Sequence, residues 1–289
     1  MHSFDFATPT SVGDAVAILA EHGSNARILA GGTDLLIGMR VGRLTPGLVV
    51  DAKQIPEFKR YNLSGSGLDL GAGVTCRTLY EDPAVVEAYP ALIEAAQIIG
   101  GIQTQGRATI GGNLCNAAPS GDSIPALIVL GATAKIIGPS GEREVAVEDV
   151  CVAPGKTSLA DNELLLSIQI PAPAANSGAC YQRFIPRNEM DIAVASVGSS
   201  VVLSADGSTF ESARVALGAV GPTPIFAREA GDSLAGKPVS EASIQAAADA
   251  AEAAATPITD MRGTVKQRKH LVNVLTRRTL TEAVARAKA

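Results

Sequence analysis

Two glycine-containing segments hold the residues best suited to chemistry in this chain. In one, Thr109, Ile110, Gly111, Gly112 and Asn113 open a run of small residues that continues through Cys115, Ala118 and Gly121 to Asp122. In the other, Ile28, Leu29 and Ala30 lead into Gly31, Gly32, Thr33 and Asp34, followed by Leu35. Each has the grammar of β-type residues, a Gly-Gly turn, polar capping residues and an apolar helix. Glycine lets a backbone come close to a bulky anion, and the first amides of a helix lack intrahelical acceptors. The pattern predicts two phosphate cradles, and two in one domain imply one long ligand. Neither loop contains Lys or Arg, so oriented N–H groups and helix dipoles would meet the charge. Asn113 both donates and accepts, while Asp34 and Asp122 accept, which suits ribose or adenylate hydroxyls. Plain turn-making and N-capping account for the same residue types.

Helices and strands must position these segments. Ser11-Val12-Gly13-Asp14 reads as a capping box before a helix whose apolar stripe is Val12, Val16, Ile18 and Leu19 and which stops at His22-Gly23. A strand over 27–30, a helix carrying Leu35, Leu36 and Met39, and a strand over 48–51 complete a small α/β unit of residues 1 to about 55. It is too small to hold a dinucleotide alone. From Lys59 the pattern changes to a hairpin around Ser64-Gly65-Ser66-Gly67, helices begun by Pro83 and Pro90, and a helix over 91–99. A helix over 123–130, a hairpin of 134–137 with 144–147, and a strand over 164–170 follow. Residues 171–178, rich in Pro and Ala, read as a linker. Beyond it, 179–185, 193–203 and 213–220 predict a three-stranded antiparallel meander, then helices over 225–234, 241–255 and 265–287. The expected class is α+β, with one domain over 1–174, its subdomains about 1–55 and 56–174, and a second domain over 179–289.

Composition excludes several functions. The 289 residues are 46% hydrophobic but only 3% aromatic, without Trp, and the net charge is -5. A stacking platform or basic face for nucleic acid is not expected. Met1-His2-Ser3-Phe4-Asp5-Phe6 has neither the basic nor the apolar region of a secretory signal, and no apolar run reaches bilayer length, so a cytoplasmic protein is expected. Cys76, Cys115, Cys151 and Cys180 form no Cys-x-x-Cys, which argues against a metal or cluster within this chain. Gly155-Lys156-Thr157 would need its first P-loop glycine at Val150, and Gly65-x-Gly67 lacks the third glycine of a dinucleotide fingerprint. No Gly-x-Ser-x-Gly elbow exists. Lys266-Gln267-Arg268-Lys269-His270 reads as a solvated or partner-facing helix side.

Ala30-Gly31-Gly32-Thr33-Asp34-Leu35-Leu36 and Ala108-Thr109-Ile110-Gly111-Gly112-Asn113-Leu114-Cys115-Asn116-Ala117-Ala118-Pro119 together resemble the two FAD-binding motifs of the medium subunit of molybdenum hydroxylases, the xanthine dehydrogenase and carbon monoxide dehydrogenase family. The resemblance spans essentially the whole chain. It implies a two-subdomain FAD domain of the vanillyl-alcohol-oxidase (PCMH) type and a small α+β C-terminal domain. It further implies that residues 28–35 and 109–122 wrap the diphosphate and ribityl chain of FAD. Leu165 or Leu166 and Arg183 would approach the isoalloxazine, and Ile192, in Arg187-Asn188-Glu189-Met190-Asp191-Ile192-Ala193, would abut it. A cation at Arg183 would favour anionic reduced flavin. The resemblance also implies partners: a large molybdenum-cofactor subunit, a small subunit with two [2Fe–2S] clusters, a dimer of heterotrimers, and an external electron acceptor. Family members acting on carbon monoxide resemble Ala-Gly-Gly-His-Ser, whereas Thr33-Asp34 here points toward an organic N-heterocycle or aldehyde. The alternative is a stand-alone flavin oxidase or reductase of the same fold, and a scaffold that has lost its flavin is disfavoured by the intact glycines.

Overall fold

A computed structural model describes residues 2–289, so that Met1 of the N-terminal hexapeptide lies outside the described residues. The chain begins with a small parallel sheet. Strands β1 (Asp5–Ala7), β2 (Ala26–Leu29) and β3 (Leu48–Asp51) take the order β1-β3-β2, and helices α1 (Val12–His22) and α2 (Leu35–Arg40) connect them. Ser11 caps α1 by accepting from the Asp14 amide, and Gly23 ends it at φ 49°, a conformation that suits glycine.

After α3 (Pro56–Lys59), strands β4 (Tyr61–Ser64) and β5 (Gly67–Gly71) form the expected hairpin. Six short helices then run together: α4 (Cys76–Tyr80), α5 (Pro83–Ala88), α6 (Pro90–Ala96), α7 (Ile102–Gln105), α8 (Ile110–Asn116) and α9 (Ser123–Val129). Pro83 and Pro90 stand in the first turns of their helices, where a missing N–H costs nothing. Strands β6 (Thr133–Gly138) and β7 (Gly141–Ala146), the small pair β8 (Cys151–Ala153) and β9 (Lys156–Thr157), and β10 (Leu164–Pro171) follow. They complete an antiparallel sheet ordered β4-β5-β10-β6-β7. β10 lies at its centre, which explains its nearly continuous burial. One apolar cluster joins both sheets, from Ala15, Leu19 and Val50 to Leu70, Leu114 and Ile168.

The last third is a sheet of β11 (Ser177–Phe184), β12 (Ala195–Leu203), β13 (Phe210–Gly218) and β14 (Ile225–Phe226), followed by α10 (Arg228–Asp232), α11 (Glu241–Ala254) and α12 (Val265–Ala287). The architecture is α+β, as expected, but this sheet has four strands rather than three. The helix expected over 225–234 is corrected accordingly. Ile225 and Phe226 pair with Leu217 and Ala216, and only 228–232 turns helical. The Phe226 ring lies 4.2 Å from each of the Arg214 and Arg228 guanidinium carbons, contacts that hold the segment to the sheet edge.

This four-stranded sheet packs on α9. A Cβ on Gly198 would meet the Pro125 carbonyl at 2.8 Å, and one on Gly218 would come within 3.1 Å of the Pro125 ring. Ser200 Oγ donates to the Val129 carbonyl, and Arg214 Nε to that of Ile128, satisfying the free carbonyls at the end of α9. The basic run 266–270 is not wholly a solvated helix side. Arg268 is buried and donates to the carbonyls of Val194 and Ala219 and to Asp260. No helix among the described residues is long and apolar enough to cross a membrane.

Candidate cofactor site

The two glycine segments meet. β2 ends at Leu29, and Gly31 then lies directly on the chain entering α8: a Cβ there would overlap the Arg107 carbonyl and stand 3.2 Å from the Ala108 Cα. Gly32 has φ 77°, so the turn itself uses glycine's freedom. The amides of Gly32, Thr33 and Asp34 donate to no acceptor among the described residues. Asp34 is exposed and opens α2 without capping it through its side chain, so the N-cap role expected of it is corrected.

The second Gly-Gly is not a turn before a helix but the first turn of α8 itself. Thr109 is the cap, its Oγ1 accepting from the Gly112 amide at 2.9 Å, while the amides of Ile110 and Gly111 stay free of partners among the described residues. The two glycines face different ways. A Cβ on Gly111 would run into Ala72, whose Cα would be 2.7 Å away, whereas one on Gly112 would meet only Thr109 Oγ1 within 4 Å. Gly111 is therefore a packing glycine and Gly112 borders open space. Because α2 and α8 have only six and seven residues, individual amides matter more here than summed helix dipoles.

Downstream, Asn113 Oδ1 accepts from the amide and hydroxyl of Ser123 at 3.2 and 2.7 Å, which leaves its Nδ2 without a partner among the described residues. Cys115 is exposed on α8, Ala117 ends the helix at φ 47°, Ala118 is half-buried, and Gly121 is buried against Ile124. Asp122 does not cap α9 either. Its two oxygens accept from Tyr181 Oη at 2.8 Å and from Arg183 Nη1 at 2.6 Å. Burial pushes its carboxyl up to about 6, against the opposing pull of Arg183 and of the Tyr181 hydroxyl. Burial, with Asp122 beside it, also drives the Tyr181 phenol well above its ordinary value.

The flavin-end residues divide. Arg183 is 6% exposed in its side chain and bound to Asp122, so it is not an open cation. Leu165 lies in the core, and Leu166 occupies a β-bulge that frees its carbonyl to accept from the Ala72 amide at 3.0 Å. Ile192 is 48% exposed on the segment between β11 and β12, which is tied back where the Met190 amide donates to the Gly100 carbonyl. Ile28, Leu29, Ala30 and Leu35 face apolar neighbours and serve as scaffold. The geometry thus gathers residues 31–34, 108–113 and 121–123, and links them to Arg183 but not to Ile192. Sequence reading missed Tyr181. It stands two positions before Arg183 on one strand, hence on the same face, and that period was the available signal.

Unpaired amides, an unpaired Asn113 amide group and a side-chain-free border at Gly112 fit a diphosphate with its hydroxylated chain. Among the described residues there is no group of His, Cys, Asp and Glu that could hold a metal. The family described as the FAD binding domain in molybdopterin dehydrogenase matches residues 2–173. The chain belongs to the FAD-binding subunits of the molybdenum hydroxylases. In line with this membership, the CO dehydrogenase flavoprotein C-terminal domain matches residues 180–283. The molybdenum hydroxylase relatives include the carbon monoxide dehydrogenase medium chain of Hydrogenophaga pseudoflava, 36% identical over 98% of both chains. The xanthine dehydrogenase FAD-binding subunit of Escherichia coli O157:H7 is 32% identical, also over 98% of both. Among solved structures, carbon monoxide dehydrogenase from Hydrogenophaga pseudoflava lacking the Mo-pyranopterin moiety superposes with a TM-score of 0.94 at 34% identity, covering 99% of this chain and 98% of that one. The chain is thus an oxidoreductase subunit with the FAD-binding and C-terminal domains of that family.

Proposed function

We propose that this chain is the electron-transfer subunit of a heteromeric molybdenum hydroxylase, taking electrons from [2Fe–2S] clusters of a small partner subunit and delivering them to an external acceptor. The large partner would hold the molybdenum cofactor and the substrate, in a cytoplasmic dimer of heterotrimers. Gly32, Thr33 and Asp34 from one side, and Ile110, Gly111 and Gly112 from the other, would hold the FAD diphosphate through their backbone amides. Asn113 would offer its amide group to a hydroxyl of the ribityl chain or ribose. Leu166, Arg183 and Ile192 would border the ring. FAD, when bound, supplies a carrier that accepts electrons one at a time and releases them singly or in pairs. The observation that carries this reading is the backbone contact of Gly31 with Arg107 and Ala108, which makes one cradle of two loops.

A stand-alone flavin oxidase would need a base for its substrate, yet His2, His22 and His270 are all exposed and lie on other elements. The named relatives belong to dehydrogenases of carbon monoxide and of xanthine at comparable identities, so likeness in this subunit does not follow the substrate. That suits a complex whose substrate site lies in the large partner, and it makes the Thr33-Asp34 difference no guide to the substrate. The test is purification with and without the genomic neighbours, followed by absorption spectra. A two-banded oxidised-flavin spectrum that bleaches with dithionite, and copurifying iron–sulfur and molybdenum subunits, are expected. A colourless chain that cannot be reconstituted with FAD would sink the reading, and a flavoprotein oxidising substrate alone would replace it by the second.

A further inference from the structure

Four ion pairs bridge the part of the chain before 171–178 and the part after it. In Asp122–Arg183, Glu148–Arg214, Glu148–Arg228 and Glu94–Arg286 the carboxylate always comes from the first part and the guanidinium from the second. Asp122–Arg183 is the most enclosed, with side chains 10% and 6% exposed, against 11% and 33% for Glu148–Arg214. It is also the pair that ends the candidate cofactor segment, since α9 starts at the next residue. Tyr181, whose ring packs among Ala91, Ala95, Ala126 and Ala179, adds its hydroxyl to the same carboxylate. Ser196, paired across the sheet with Arg183, keeps a buried Oγ without a hydrogen-bond partner beside this cluster. Both carboxylate oxygens are thus engaged by β11.

We propose that Asp122 is a positioning residue: through Arg183 and Tyr181 it clamps β11, and the segment 184–193 that β11 leads into, against the cofactor segment, so that FAD is gripped between the two parts of the chain. This deepens the FAD reading above and rests on it. Asp122 acts through β11, and Arg183 reaches the flavin end as a neutralised pair.

Among the described residues, the charged and titratable groups acting on Asp122 are Arg183 and Tyr181 from β11. From α6, Glu94 accepts the Tyr181 amide and is itself held by Arg286 of α12, and β12 offers the neutral Ser196. With the Asp122 carboxyl raised to about 6 by burial, the clamp is an ion pair above that pH and loses its anion below it.

The test is FAD affinity of the full chain, followed by flavin fluorescence quenching between about pH 5 and about pH 8, with folding monitored by circular dichroism. Wild-type affinity is expected to fall as pH drops through about 6. Asp122→Asn should weaken FAD binding about tenfold at neutral pH and flatten the profile, the scale of one charge-assisted hydrogen bond. Tyr181→Phe keeps the packed ring and should move the midpoint upward while binding persists. A folded Asp122→Asn chain with wild-type affinity and an unchanged profile overturns the clamp. Should Asp122→Asn not fold, a Tyr181→Phe profile superimposable on wild type overturns it instead. Wild-type chain that takes up no FAD at any pH overturns the FAD reading and the clamp together, an outcome distinct from the other two.

Discussion

Gly31 and the carbonyl of Arg107 share a space that admits no side chain, although the two residues lie in different elements far apart in sequence. The end of β2 and the entry to α8 are therefore fixed to one another by backbone contact, which brings together two loops whose amides lack acceptors among the described residues. Everything proposed for the diphosphate depends on this crossing.

Gly31→Ala should break the crossing. Neither partner is a flexible side chain, so the backbone itself must move, at about 1–3 kcal/mol for an overpacked site. Urea unfolding of the full chain measures this, and a wild-type midpoint would show that the loops are not in contact.

Gly111 and Gly112 should separate cleanly. Gly112→Val points into open space and disturbs only the Thr109 cap, costing about 1 kcal/mol of stability, yet it should abolish FAD binding. Gly111→Val meets the Ala72 backbone and should fail at folding. Flavin stoichiometry and circular dichroism on both variants decide; stoichiometric flavin in Gly112→Val would refute the placement of the diphosphate.

Asp122 should make stability depend on pH with an unusual sign. Burial raises its carboxyl from 3.8 to about 6, so the native chain binds this proton more tightly than the unfolded chain. The resulting stability is fully present below about pH 4 and is lost as pH rises through about 6, in total about 3 kcal/mol. Across that window Asp122→Asn should gain on wild type in urea unfolding, and parallel curves would contradict the shift.

Arg268 should behave as a core residue despite its place in a basic run. Arg268→Met leaves the Val194 and Ala219 carbonyls and Asp260 without their donor, for an expected loss of about 3–5 kcal/mol. Exposed Lys266→Met on the same helix should stay within about 0.5 kcal/mol. Thermal melting of the two variants distinguishes them.

The local features of this fold were legible in the chain because short-range rules set them. Ser11 and Gly23 bound α1, Pro83 and Pro90 start their helices, and Ser64-Gly65-Ser66-Gly67 turns the hairpin, each through its own backbone preference. The glycine segments were legible for the same reason, and their likeness to a known family supplied the ligand. The strand at Ile225 and Phe226 was not, because edge pairing with β13 and two flanking arginines outweighed local helix preference.

Long-range contacts decided the rest. The sequence by itself determined which residues could cradle a phosphate, where the helices begin, and the α+β class. Only the tertiary structure decided that Gly111 is a packing residue while Gly112 borders open space, since this depends on Ala72, which no local rule joins to it. Likewise, Asp122 reads as a helix cap or ligand contact in the linear chain. Folding brings β11 over it, and a buried carboxylate takes the strongest donors within reach, Arg183 and Tyr181, because leaving it unpaired away from water would cost far more than a vacant helix cap.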